Sequence, residues 1–242
     1  MTHTPSRFRT VAVAILALAG ATMALAADAF DRNNANISLL QQREVQQDMG
    51  IGEDMRAKLN KHADWFNGEM KKLQDAFQEE ARQSGKQPAP PEAKIQKLQQ
   101  EFAKRVMGEL NDKQIVRLRE LTIQSVGFPA LMNDDVAKKV GITDKQKQRL
   151  RSTFEAMMKK LNAEQEKVLK PIYDKYNSKK PANEEEAKML QEDAAKEAEA
   201  ASKKLEPTIK KLRDDWIITV KKTVKAIQLN RFEALMGKPF KS

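Results

Sequence analysis

Side chains suited to catalysis or metal binding are scarce in this sequence. It has no cysteine, and His62 is the only histidine after residue 26. The neighbours of His62 three and four positions away along a helix are Lys58, Leu59, Trp65 and Phe66. None of these is a metal ligand, and Lys58 would repel a cation. Because transition-metal sites draw several ligands from histidine and cysteine, the sequence predicts no metal site.

The clustered carboxylates also lack the arrangement of a catalytic pair. Three consecutive glutamates stand at 184–186 and two aspartates at 214–215. Adjacent residues of a helix point in different directions, so neither run makes two facing acids. The glutamates instead suit the first turn of a helix. The sequence has no glycine-rich phosphate loop and no nucleophile elbow. It therefore predicts a protein that binds no cofactor and is not an enzyme.

Charge is unevenly distributed along the second half. Residues 138–160 contain eight Lys or Arg and two acidic residues, and residues 203–225 contain eight and three. Residues 184–199 contain seven acidic residues and two lysines. A basic surface favours acidic polypeptides or anionic membrane surfaces, while methionines can line a groove for varied partners or fill a core. The candidate contact residues are Lys138, Lys139, Lys147, Arg151, Met157, Met158, Lys210, Lys211 and Arg213.

The elements that must position these residues are long amphipathic helices. Between residues 53 and 81 the apolar residues recur every three or four positions, as on one face of a helix. Similar stripes cover residues 95–106, 150–176 and 190–220, and no comparable stretch alternates as a strand does. Prolines at 88, 90 and 91 and at 181 mark the loops between them. We expect an all-α fold of long antiparallel helical hairpins.

The two halves of the chain resemble each other. Residues 44–51 match residues 135–142 at an offset of 91, and residues 110–121 match residues 224–235 at an offset of 114. We predict a tandem repeat, with a first hairpin at 27–128 and a second, longer one at 129–242, forming one elongated unit. The 23 extra residues are expected to divide equally between the two arms, about three helical turns each.

A helix-capping motif recurs within the repeat. In Ile142-Thr143-x-x-Gln146 the threonine is placed to cap the next helix while the glutamine reaches back to the N–H of the cap. Leu110-Asn111-x-x-Gln114 has the same layout with asparagine as the cap. Val224-x-x-x-Gln228 is a degenerate copy, and residues 51–55 lack both the threonine and the glutamine.

These motifs resemble the Leu-Thr-x-x-Gln (LTxxQ) motifs of the Spy/CpxP-like periplasmic family. The resemblance touches both halves through Ile142, Thr143 and Gln146 and through Leu110, Asn111 and Gln114. It implies an α-helical hairpin fold and a function as an ATP-independent periplasmic chaperone or stress regulator. Some relatives sense metals, but the single His62 offers such a role little support.

The first 26 residues are typical of a secretory signal peptide. Arg7 and Arg9 precede an apolar run, and the small residues Ala24 and Ala26 fit a cleavage site after Ala26. The apolar stretch of about 16 residues is shorter than the roughly 20 that span a bilayer, which disfavours the alternative of an uncleaved anchor. Cleavage would lower the formal charge from +10 to +8, because the segment holds two arginines and no acidic residue.

The leading hypothesis is an exported, periplasmic holdase that binds unfolded or acidic polypeptides through a basic, Met-containing helical surface. The alternative is a non-catalytic structural or stress-regulatory protein of the cell envelope, with one fixed partner or self-association. Export makes nucleic acid a poor candidate partner, and weak contact with an anionic membrane surface remains compatible with the charge.

Overall fold

A computed structural model describes residues 28–84, 90–179 and 181–240. Over these ranges the chain is helical and contains no strand, so the predicted all-α class is confirmed. The signal peptide predicted at residues 1–26 and its cleavage site lie outside the described residues. The elements are α1 (Ala29–Asn33), the 3-10 helix η1 (Ile37–Gln41), α2 (Arg43–Asp48), α3 (Glu53–Ser84), α4 (Glu92–Glu109), α5 (Asp112–Val126), the 3-10 helix η2 (Phe128–Met132), α6 (Asp134–Val140), α7 (Asp144–Asn177), α8 (Glu184–Thr223) and α9 (Ala226–Met236).

The four long helices pack as two antiparallel pairs. In the first pair Phe66 of α3 stacks on Phe102 of α4 with ring centroids 4.8 Å apart, and Lys58 reaches Glu109. In the second pair Trp216 of α8 meets Phe154 of α7 edge to face at 5.1 Å. Farther along the second pair, Lys175 of α7 bonds Glu197 of α8 at 2.7 Å.

The extra length of the second pair lies almost entirely in its returning helix. Helix α7 has 34 residues against the 32 that the structure describes for α3, whereas α8 has 40 against 18 for α4. The expected equal division between the arms is therefore wrong. Pro90 and Pro91 explain the short α4, because proline lacks the N–H and disfavours helical geometry in the residue before it. No proline stands directly before Glu184, and α8 begins there.

Two apolar clusters form the core at the bases of the helix pairs. The first joins η1, α2 and the starts of α3 and α5, with Ile115 and Leu118 fully buried. The second joins η2, α6 and α9 with the base of α7 and α8, where Leu150 and Val220 are fully buried. Away from the bases each pair is two helices thick, and Ile172 and Leu205 are the buried residues of the distal second pair in the described ranges.

The first and last segments that the structure describes each pack against the cluster of the other half. Phe30 of α1 belongs to the second cluster, although it precedes the first helix pair. Phe240, near the C-terminus, packs against the first cluster. An ion pair between Lys139 and Asp28, at 2.8 Å, makes a further link between the halves. The division into two units at residues 128 and 129 stays a prediction.

Candidate functional site

The two basic segments lie beside each other at the base of the second helix pair. Gln146, near the start of α7, donates from Nε2 to the carbonyl oxygen of Thr223 at the end of α8, at 2.8 Å. Two turns farther along, Trp216 Nε1 donates to Thr153 Oγ1 at 3.3 Å. The antiparallel pairing therefore brings residues 138–160 and 203–225 together, as required for one basic surface.

The cap motifs make reciprocal hydrogen bonds at two helix starts. Gln146 N donates to Thr143 Oγ1 at 3.2 Å, and Thr143 N donates to Gln146 Oε1 at 3.0 Å. At the start of α5 the same two bonds join Asn111 and Gln114, each at 3.0 Å. Each box satisfies two amide groups that a helix start otherwise leaves unpaired. Next to the boxes, Leu110 is buried and Ile142 packs against the second core cluster.

The motif glutamines also bind each other, which spacing along the sequence does not reveal. Gln146 Nε2 lies 2.9 Å from Gln228 Oε1, and Gln228 Nε2 donates to the carbonyl oxygen of Gly141. Gln228 is buried, and its Oε1 also accepts from Lys225 N at 2.9 Å. This network joins the ends of α6 and α8 to the starts of α7 and α9, so the motif residues have a structural task here.

Three of the candidate cations form ion pairs with residues of a different segment of the chain. Lys147 lies 2.8 Å from Asp134, and Arg151 lies 3.5 Å from the same carboxylate. The hydrogen bond from Lys147 lowers the pKa of Asp134, and in return Asp134 raises the pKa of Lys147. Lys139 bonds Asp28 and lowers the pKa of that carboxyl. These residues hold α1, α6 and α7 together, which leaves them less available to a ligand.

The remaining candidate cations face solvent. Lys138, Lys211 and Arg213 are exposed and form no ion pair with any described residue. Lys210 is exposed as well and lies 3.7 Å from Asp214, four residues along α8. These four residues therefore offer positive charge to an incoming ligand.

The two candidate methionines, Met157 and Met158, are both half-buried. Met157 packs against the second core cluster, which is the core-filling alternative. Met158, the next residue of α7, is half-buried. Neither side chain is among the large exposed apolar residues of the described chain.

Exposed isoleucines at the same base were not identified from the sequence. Ile218 near the end of α8 is 49% exposed, and Ile227 near the start of α9 is 57% exposed. On α8, Lys211 and Lys222 lie seven residues before and four residues after Ile218, on the same helix face. Ile218 occupies position i+2 from the buried Trp216, off the apolar stripe, and this offset is the signal that could have identified it.

His62 contacts a partner on the neighbouring helix rather than on its own. Its Nε2 lies 3.2 Å from Glu109 Oε1, and Lys58 Nζ lies 3.1 Å from Glu109 Oε2. These two bonds, that of His62 foremost, lower the pKa of Glu109. Within the described ranges no three His, Cys, Asp or Glu side chains are grouped so as to hold a metal ion.

Among the helices of the described residues, none has a stretch both long enough and apolar enough to span a bilayer. Comparisons with protein-family models, with curated proteins and with solved structures found no match to this chain.

Proposed function

We propose that this chain is an exported, ATP-independent, chaperone-like protein that holds unfolded or acidic polypeptides without chemical turnover. The observation that carries the proposal is that Ile218 and Ile227 are exposed at the base of the second helix pair, with Lys211 and Lys222 on the same face of α8 as Ile218. The LTxxQ-type motifs, which resemble those of the Spy/CpxP-like family, support the same class of function. The sequence of residues 1–26 supports export to the periplasm.

The basic surface supplies two kinds of attraction that suit an unfolded chain. Lys138, Lys211 and Arg213 draw in acidic segments through long-range charge, which raises the rate of encounter. Ile218 and Ile227 then offer apolar contact to side chains that a folded protein would bury. Neither attraction requires a particular sequence, so the surface suits many partners.

The helix pairs explain why the protein exposes such a surface and stays folded. Its stability comes from the two core clusters and from the capping networks, all of which lie outside Ile218 and Ile227. A ligand can therefore cover the isoleucines without rearranging the core. This arrangement is compatible with repeated binding and release, which a holdase needs when it uses no nucleotide.

An aggregation assay tests the proposal. Insulin, which is anionic at neutral pH, aggregates when its disulfides are reduced, and a chain without cysteine tolerates the reductant. At low salt and equimolar ratio, the chain from Ala27 onward should slow the rise in light scattering. At about 0.3 M salt the effect should weaken, because the Debye length falls to several ångströms.

Matched variants locate the activity on the surface. Ile218→Gln combined with Ile227→Gln should reduce the suppression, whereas Met189→Gln should leave it unchanged. Met189 is the appropriate control because it is 60% exposed but lies in the acidic segment 184–199. No suppression by the unmodified chain at low salt, or equal suppression by the double variant, would overturn the proposal.

A further inference from the structure

The C-terminal segment, residues 237–240, is held against α5 through its main chain. Gln124 Nε2 donates to the carbonyl oxygens of Met236 and Lys238, at 2.5 and 2.7 Å. Gln124 Oε1 accepts from the N–H of Phe240 at 2.9 Å. One amide side chain thus binds the backbone on both sides of Pro239. The side chains of Lys238 and Pro239 are exposed, so this recognition does not depend on them.

Arg117 supplies a second donor that other residues hold in place. Its Nη1 donates to the carbonyl oxygen of Lys238 at 2.7 Å. Asp48 of α2 accepts from its Nε and Nη2 at 2.5 and 3.1 Å, and Glu120 accepts from Nη1 at 2.8 Å. The side chain of Arg117 is only 15% exposed. Because these carboxylates fix the guanidinium before any peptide arrives, binding costs little side-chain entropy.

The segment has one apolar anchor, the side chain of Phe240. It packs against the first core cluster, whereas residues 237–239 are exposed. An open cavity bordered by Asp48, Arg117, Lys238 and Pro239 lies beside the segment. The arrangement is that of an extended peptide bound by backbone hydrogen bonds and a single aromatic side chain.

Gly237 is required for the segment to enter this position. Its φ is +65°, and a Cβ built there would overlap the carboxylate of Glu120. Arg117 holds that carboxylate, so it cannot readily move aside. Gly237 thus allows the C-terminal segment to turn away from the end of α9 and to lie against α5.

We propose that Arg117, Gln124 and the adjoining edge of the first core cluster form a binding seat for an extended polypeptide segment. The ligand is a stretch of unfolded chain with an aromatic residue two positions after the carbonyl that Arg117 and Gln124 bind, as Phe240 follows Lys238. Residues 237–240 occupy the seat as a tethered competitor. This inference rests on the proposed holdase function and adds a second contact site to the basic surface.

Removal of the competitor tests the seat. The probe is a fluorescent peptide with the sequence of residues 237–240, titrated into the chain 27–242 and into the truncated chain 27–236. A tether of a few residues gives the cis segment an effective concentration on the order of millimolar, so the full chain should bind the probe much more weakly than the truncated chain. Equal binding by both folded chains would overturn the inference.

Substitution in the truncated chain separates recognition from stability. There Gln124 has lost its bonds to Lys238 and Phe240 and keeps only the one to Met236, so Gln124→Ala should weaken the probe about tenfold while lowering the thermal midpoint only slightly. Gln148→Ala, an exposed glutamine of α7, is the matched control and should bind normally. A probe in which the phenylalanine is replaced by alanine should lose most of its affinity.

A full-length variant guards against misfolding of the truncated chain. Phe240→Ala releases the anchor and leaves the seat intact, so it should bind the probe more tightly than the unmodified chain. If neither the folded Phe240→Ala chain nor the truncated chain bound the probe, the proposed binding seat would be contradicted. If the unmodified chain still suppressed aggregation, the proposed function would survive that failure. Peptide binding without suppression would instead contradict only the proposed function.

Discussion

A single glutamine of the cap motif performs two tasks at the base of the second helix pair. Gln146 closes a capping box with Thr143 and also donates to Thr223 and Gln228. Gln114 closes the equivalent box with Asn111, and its side chain makes no further hydrogen bond with the described residues. The motif pattern predicts the box, but the second task depends on helices that meet only in the fold.

These two glutamines therefore respond differently to truncation. Both Gln146→Ala and Gln114→Ala lose one bond of a capping box, and Gln146→Ala also removes the bonds to Thr223 and Gln228. A hydrogen bond contributes about 0.5–1.5 kcal/mol net. We expect Gln146→Ala to lower the free energy of unfolding more than Gln114→Ala by roughly that amount. Urea unfolding of both variants measures the difference, and equal losses would contradict the network.

Glu109 gives the first helix pair a pH-dependent contact. Bonds from His62 and Lys58 lower its pKa below the ordinary value of 4.5. A carboxyl whose pKa is lowered by folding stabilises the protein above its unfolded pKa, and that contribution is lost as pH falls through the folded pKa. Glu109→Gln should therefore lower the melting temperature at pH 7, and this difference should shrink as the pH falls through the folded pKa of Glu109. A loss that does not change as the pH is lowered would contradict this account.

The partner of His62 could not be predicted from the residues of its own helix. Its neighbours on α3 are mainly apolar, and the carboxylate that it contacts stands 47 residues later on α4. The partner follows from the register of two antiparallel helices. That register is set by contacts such as the stacked rings of Phe66 and Phe102, whose pairing cannot be read from either stripe alone.

At the scale of elements, glycines at helix ends and in helix interiors have opposite roles. Gly141 ends α6 with φ of +81°, and a Cβ there would lie 3.1 Å from Arg231 Nη1. Gly68 lies inside α3, and a Cβ there would meet nothing within 4 Å. Position 141 needs glycine because its backbone is in the left-handed region. Position 68 is in ordinary helical conformation, so glycine there has an entropic cost and no conformational benefit.

The two positions make a matched pair of substitutions. Gly141→Ala should destabilise the protein by about 1 kcal/mol or more, because alanine is strained in the left-handed region. Gly68→Ala should stabilise it by about 0.5–1 kcal/mol, because alanine is the better helix former. Denaturant unfolding measures both. Stabilisation by Gly141→Ala would show that α6 does not end as described, and destabilisation by Gly68→Ala would contradict the description of Gly68.

Helix boundaries were more predictable than helix lengths. Thr143 and Asn111 mark the starts of α7 and α5 through their side-chain oxygens, a local effect that the sequence displays. The 22-residue difference between α8 and α4 arises from where prolines interrupt the returning chain. Matching of the two halves gives the total extra length but no information about its division, and an equal division was the wrong assumption.

In the molecule as a whole, the clusters to which Phe30 and Phe240 belong could not be predicted from the sequence. Phe30 and Phe240 each stand in a short segment without a helical stripe, so the periodicity assigns neither to a cluster. The structure places Phe30 in the second cluster and Phe240 against the first. The two halves are therefore coupled by apolar contacts in addition to the connection between α5 and η2.

Because the two halves are coupled, we expect one substitution to destabilise both of them. Phe30→Ala removes a buried ring that links α1 to the second cluster, and a truncation of this kind costs about 3–5 kcal/mol. We expect the amide protons of both clusters to exchange faster by a similar factor, as measured by hydrogen exchange. Faster exchange confined to the second cluster would show that the halves unfold independently.

Helices α8 and α9 both contribute to the exposed basic surface. A fluorescent, reduced and alkylated acidic protein that cannot refold serves as the ligand, and anisotropy reports its binding to the chain from Ala27 onward. Saturable binding at low salt is expected, with affinity that falls as salt rises to about 0.3 M and that is lost in the Ile218→Gln, Ile227→Gln variant. Absence of binding at low salt, or binding that either of these two changes leaves unaffected, would contradict the proposed function.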